Sequence, residues 1–245
     1  VLPTTEKAFD IPGGAIPKGL TTDGTHFYIL VAGSTSDKVI VTDLDGVYES
    51  EFFLGRFCQS WNTNCDLSSN PNDGQARQES AGITYLDTNQ TIYVADNTWM
   101  GDGREVVAFN AAGVQQPNKS FSFDGEITGL NASGGSIYAL DGDGVRKLHK
   151  SGTELEDSWI SWESRSALAM VGDVFVLVEG LKIQPYVDDG NDLSSSGSGY
   201  TTDLIVQGAV ASGGILYLAD LDSAAVHKAA MPTTVEATTE PLGLA

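Results

Sequence analysis

One phrase recurs along this chain at a period near forty residues: a short strand of Gly or Ala with apolar residues, a tight turn, then an apolar strand centred on an aromatic. The copies run over residues 19–30, 82–96, 129–141, 167–177 and 208–220. Their aromatic anchors, Tyr28, Tyr93, Tyr138, Phe175 and Tyr217, stand 65, 45, 37 and 42 positions apart. A third strand follows each anchor, clearest at 38–42, 105–109 and 145–149, and weaker at 182–186 and 225–228. Gly-containing turns such as Asp43-Leu44-Asp45-Gly46 and Ser151-Gly152 then lead to a more polar fourth strand, as at 49–53, 120–123 and 153–156.

Four short strands per unit, joined by tight turns, describe an all-β fold: a β-propeller of four-stranded antiparallel blades. The inner strand carries small residues because backbones crowd at the axis, and the second strand is nearly all apolar because both its faces are covered. A β-sandwich with regular hairpins is the competing architecture, and the repeated phrase favours the propeller. Five units are visible, and a sixth fits if the long first interval hides a degenerate one. No stretch shows sustained helical periodicity. Residues 1–245 read as a single propeller domain, with a loop insertion at about 56–78.

Charge narrows the partners. With 13 Lys and Arg against 33 Asp and Glu, the net charge is -20, which repels phosphate backbones and argues against nucleic acid. No apolar run approaches the roughly 18 residues of a membrane helix. The pair Cys58 and Cys65, in a polar Asn/Ser-rich loop, is expected to close a small disulfide ring, two free thiols being the alternative; a disulfide implies an oxidising compartment. With the acidity and the abundance of Thr, Ser and Gly, this points to an extracellular or cell-surface protein. Sequons at Asn89, Asn118 and Asn131 are candidate glycosylation sites, all expected in bottom-face turns. The chain starts at Val1 with no leader, which suggests processing or excision from something longer. Residues 5–11 look like an outer strand able to close the ring beside the last blade, while Pro241-Leu242-Gly243-Leu244-Ala245 reads like the start of a further, incomplete blade.

The stretch Pro17-Lys18-Gly19-Leu20-Thr21-Thr22-Asp23-Gly24, and Ile92-Tyr93-Val94-Ala95-Asp96 before a polar loop, resemble NHL-like propellers, the group that includes SMP-30/gluconolactonase and paraoxonase-like enzymes. The resemblance runs over most of residues 17–231 through blade motifs. It implies that ligands bind on the face, called the top here, where the inner strands begin and the second-to-third-strand loops open. On that face the sequence offers Glu79, Trp99, Glu126, Trp162 and Arg165 as ligand-binding residues. Asp96, Asp141, Asp143 and Asp220 are candidate metal ligands, with Ca²⁺, which takes six to eight oxygens, as the candidate cofactor. The bland reading is that such Asp residues hold their own turns and that the Trp residues fill gaps between blades.

Two functions follow. The first is a noncatalytic extracellular module for recognition, adhesion or surface assembly, with a protein or glycan ligand, or self-assembly into a filament through strand edges. Indole faces beside carboxylates and amides suit carbohydrate. The alternative is an SMP-30-like metal-dependent hydrolase or lactonase, which requires Glu79, Glu126, Asp96, Asp141 or Asp220 to converge on one ion. Its weak points are the positive charges of Lys18 and Arg165 where ligands are wanted. Nor do the three histidines sit where they would form a paraoxonase-like dyad.

Overall fold

The computed structural model describes residues 5–57, 75–98, 104–141, 144–159, 165–188 and 192–234. Each copy of the repeated phrase becomes the inner half of a four-stranded antiparallel sheet. Blade 1 is built from Pro17–Thr22, His26–Val31, Lys38–Asp43 and Tyr48–Phe53. Blade 2 uses Ser80–Leu86, Thr91–Asp96, Arg104–Phe109 and Phe121–Phe123. Blade 3 uses Gly129–Ser133, Ser136–Leu140, Gly144–Leu148 and Glu154–Trp159. Blade 4 runs through Arg165–Val171, Val174–Glu179, Lys182–Asp188 and Leu193–Ser195, with Tyr200–Thr201 as an extra pairing. Blade 5 takes Val206–Ser212, Ile215–Asp220 and Ala225–Ala230 from the end of the chain and Glu6–Asp10 from its beginning.

The sheets form a five-bladed propeller. Blade 5 has all four strands, its outer one supplied by the N-terminal segment as the sequence led us to expect; the further blade read at residues 241–245 lies outside the described residues, and no sixth four-stranded sheet forms among those described. The long first interval holds a two-stranded ribbon, Arg56–Phe57 with Gln75–Ala76, which brackets the Cys58–Cys65 segment; both cysteines lie outside the described residues.

The apolar core is five wedges, one between each pair of neighbouring blades. The second strands show why. In blade 2, Tyr93 and Ala95 enter the wedge shared with blade 3, while Ile92 and Val94 enter the wedge shared with blade 1. Strand side chains alternate between faces, and both faces here are covered, so the middle of the strand is apolar and only its ends, Thr91 and Asp96, are polar.

At the axis the inner strands meet backbone to backbone. A Cβ on Gly82 would lie 2.8 Å from the Leu130 amide nitrogen, and one on Gly208 would lie 2.5 Å from that of Leu20. Gly19, Gly82, Gly129, Ala167 and Gly208 therefore form a ring of small residues. The axial cavity they line measures only about 10 Å³, room for about one water molecule. Farther out, outer-strand aromatics seat on third-to-fourth-strand turns of the next blade. Phe9 packs on Gly46, Phe52 on Gly113 and Phe121 on Gly152.

Candidate functional site at the channel mouth

Pairing register fixes what the top face contains. The start of each inner strand lies beside the end of the second strand, as in Ser80 opposite Asp96, Gly129 opposite Leu140 and Val206 opposite Asp220. Register shifts at Pro17/Gly19, Arg165/Ala167 and Val206/Gly208 place one extra residue in each of these inner strands. Such bulges re-aim side chains; Lys18 and Gln207 are two of the residues concerned. They line a cavity of about 300 Å³ at the mouth of the channel, together with Ser80, Ala81, Asn97, Glu126, Ile127 and Thr128.

The polar groups of this cavity are held from behind. The Lys18 ammonium donates to Asp37 Oδ2 and to the Gln78 carbonyl, both at 2.7 Å, which leaves one of its three N–H groups. Asn97 spans two blades: its Nδ2 donates to the Ile127 carbonyl at 2.8 Å and its Oδ1 accepts from the Ile127 amide at 3.1 Å. Thr128 Oγ1 donates to the Leu140 carbonyl. Glu126 is two-thirds exposed, with Arg104 3.5 Å away. Ser80 Oγ is buried and has no hydrogen-bond partner among the described residues, an arrangement that costs free energy unless something arrives to complete it.

A second cavity, of about 350 Å³, adjoins the ribbon and is lined by Arg56, Gln75, Ala76, Gln78, Glu79 and Thr98. Glu79 thus faces one cavity and Glu126 another. Of the remaining expected ligand-binding residues, Arg165 opens the inner strand of blade 4 opposite Glu179; Trp99 and Trp162 lie outside the described residues.

The candidate metal ligands are placed at the ends of second strands, each engaged within its own blade. Asp96 pairs with Arg77, which also reaches Glu105 at 2.8 Å, and Asp96 accepts from the Thr98 hydroxyl. Asp141 accepts from the Gly144 amide at 3.0 Å and meets Arg146 at 2.7 Å. Asp220 accepts from the Ile205 and Ser223 amides and from the Ser223 hydroxyl. Burial pushes the Asp220 carboxyl up, but these hydrogen bonds outweigh it and hold the carboxyl below its ordinary range. Asp143 lies outside the described residues, and among those described no group of three or more His, Cys, Asp or Glu side chains is gathered around a common point suited to a metal.

Asn118 is exposed in the turn before Phe121–Phe123, and Asn89 sits in the turn between the first two strands of blade 2, its Nδ2 donating to Tyr93 Oη. Asn131 departs from expectation: it is buried inside the inner strand of blade 3, paired with Tyr138 and reaching the Leu168 carbonyl, so it occupies no turn. The sequence reading passed over Ser80, Thr128 and the buried Arg77. A lone Arg beside a polar loop carries no periodic signal, and Ser and Thr are common everywhere in this chain.

What the fold defines is a five-bladed β-propeller with a polar mouth above a closed axis. No family model matches the chain, and no curated protein sequence matches it. Among solved structures it is similar to glutaminyl cyclase from Myxococcus xanthus, with a TM-score of 0.66 and 10% identity over 96% of this chain and 97% of that one. It is also similar to a protein of unknown function from Bacteroides thetaiotaomicron (TM-score 0.52, 13% identity, 86% of this chain and 58% of that one). A third likeness is to a protein of unknown function from Bacteroides caccae (TM-score 0.50, 12% identity, 85% and 72%). Identities this low speak to the fold alone.

Proposed function

We propose that this propeller is a noncatalytic recognition module, working outside the cell or on its surface, whose channel mouth holds a small hydroxyl-rich ligand of the carbohydrate class. The observation that carries the reading is the mouth cavity itself, where the unpartnered Ser80 hydroxyl sits among Lys18, Glu126, Thr128 and Gln207. The lining offers both donors and acceptors, and the narrow axis below gives a ligand a floor. A sugar hydroxyl both donates and accepts, so it can satisfy Ser80 and bridge a carboxylate to an amide. In the bare site the Asp residues at the strand ends support this reading by stiffening the loops around the mouth. An ion such as Ca²⁺ would need several of them to leave their present partners.

A glycan array followed by calorimetry on the best hit tests this. Glu126→Gln and Gln207→Ala are expected to weaken binding tenfold or more, with Glu51→Gln, on an outer strand, neutral. Binding that is insensitive to both mouth variants would sink the reading.

One observation favours a second reading. The end-to-end likeness to a glutaminyl cyclase, with the exposed Glu126 carboxylate at the mouth, makes cyclisation of an N-terminal glutaminyl residue the activity to assay. Loss of ammonia from a glutaminyl peptide, abolished by Glu126→Gln, would replace recognition with catalysis.

A further inference from the structure

Far from the mouth, on the bottom of blade 1, one partly exposed imidazole is flanked by acceptors from several elements. His26 Nδ1 lies 3.0 Å from Asp23 Oδ2 and 2.9 Å from Thr25 Oγ1, both in the turn before the second strand. The Thr25 hydroxyl hydrogen is committed to Asp23 Oδ1 at 2.7 Å, so Thr25 turns a lone pair toward the ring. His26 Nε2 lies 3.3 Å from Glu49 Oε2 on the outer strand. Asp43, on the third strand, is the register partner of His26 and adds a further negative charge. Tyr28, on the second strand, donates its hydroxyl to Asp23 Oδ2 at 2.9 Å, its ring 6.3 Å from the imidazole and stacked on Tyr85 of blade 2.

Glu49 occupies a special place. Val41 pairs with Ser50 and Thr42 with Tyr48, which makes Glu49 the extra residue of a bulge in the outer strand. Bulges redirect side chains, and this one brings a carboxylate to the imidazole. A neutral imidazole has one N–H and one lone pair; an imidazolium has two N–H groups. Nδ1 shares a hydrogen bond with Asp23, and only the protonated ring carries the charge that makes the 3.3 Å approach of Nε2 to Glu49 an ion pair. The hydrogen bond to Asp23 raises the affinity of His26 for its proton, burial opposes this, and the charges of Asp23, Glu49 and Asp43 reinforce it.

We infer that His26 is a pH-dependent clasp that fastens the outer strand of blade 1 to the bottom turn when protonated and releases it when neutral. A histidine whose pKa is raised on folding contributes stabilisation that is complete below the unfolded value of about 6.5 and is lost as pH rises through the folded value. The clasp therefore closes in acid and opens as pH rises through the folded value, above 6.5. The strand it holds is an edge, Tyr48–Phe53, with Val47, Tyr48 and Phe53 at least half exposed. Edges of this kind are where other chains add on, so the proton state of His26 sets how firmly that edge is presented. An exposed ion pair stabilises a whole domain very little, and the effect is correspondingly local.

Histidine NMR titration with hydrogen exchange tests the clasp. The chain has only three histidines, and His26→Gln assigns the signal. The expected midpoint for His26 lies above 6.5 and falls in Glu49→Gln, a surface change that leaves the fold intact. Amides of Ser50 to Phe53, corrected for intrinsic exchange, should lose protection several-fold between pH 6 and pH 9 in the parent, and should be uniformly less protected and pH-independent in Glu49→Gln. A midpoint at or below 6.5, a midpoint unmoved by Glu49→Gln, or flat protection in the parent would each overturn the clasp.

Discussion

At the residue scale, the buried acids set the character of the top face. Asp37, Asp96, Asp141, Glu179 and Asp220 give one buried acid per blade at the end of the second strand or in the loop after it. A buried carboxylate is costly unless paired and hydrogen-bonded, and the partners are at hand: Lys18, Arg77, Arg146, the Tyr186 hydroxyl and the Ser223 hydroxyl. Arg77 is among the largest fully buried side chains described, and Arg77→Ala would strand Asp96. The expected loss is about 3–5 kcal/mol, read by denaturant unfolding; a loss under about 1 kcal/mol would show that the pair is not buried in solution. Acid should act on the same class of group. Asp23 and Asp220 are held below the ordinary carboxylate range, their hydrogen bonds to His26, Thr25 and Ser223 outweighing the burial that pushes the other way. Stability from such groups is fully present above the unfolded value of about 3.9 and is lost as pH falls toward the lower folded value. The denaturation midpoint should therefore drop below pH 4, and less steeply in Asp220→Asn.

At the element scale, the outer strands are bound to the ring by aromatic-on-glycine contacts. Gly152 has φ +83° and would bring a Cβ to 2.4 Å from Phe121. Gly152→Ala should thus cost roughly 2–4 kcal/mol, part from left-handed backbone and part from overpacking. In a Phe121→Ala background the ring contacts disappear but the one with the Cβ, at 2.7 Å, stays, so the cost should fall toward the backbone share of about 1–2 kcal/mol without reaching it; equal costs in both backgrounds would rule the ring contact out. This pattern also shows how far the sequence could be read. The inner Gly/Ala-apolar phrases and the nearly all-apolar second strands announced the blades, because burial on both faces leaves little other residue choice. Gly46 and Gly152 were visible as turn glycines, but the aromatic each receives comes from a different blade, 37 positions away for Phe9 and 31 for Phe121, and single-chain periodicity does not record such pairings. The sequence left two readings of the acids open, convergence on one ion or the holding of their own turns. The register sets each one beside a cation, hydroxyl or amide of its own or the adjoining blade, and that depends on loop geometry.

At the scale of the whole molecule, the ring is closed by strands from opposite ends of the chain. Phe9 and Ile11 are buried in the wedge between blades 5 and 1, so removing residues 1–11 takes away one of five wedges' closing contacts as well as an outer strand. Such a truncation is expected to unfold at markedly lower denaturant and to aggregate on size exclusion; a truncated chain as stable and monomeric as the parent would contradict closure through the N-terminal strand. Closure also holds the inner strands together, and with them the mouth that the proposed recognition requires. The most direct test is an amide-resolved NMR titration of the full chain with a panel of mono- and disaccharides, sensitive to millimolar affinities. Shifts concentrated at Lys18, Ser80, Asn97, Glu126 to Thr128 and Gln207 are the predicted result. Shifts confined to the outer strands or bottom turns, or none across the panel, would contradict it.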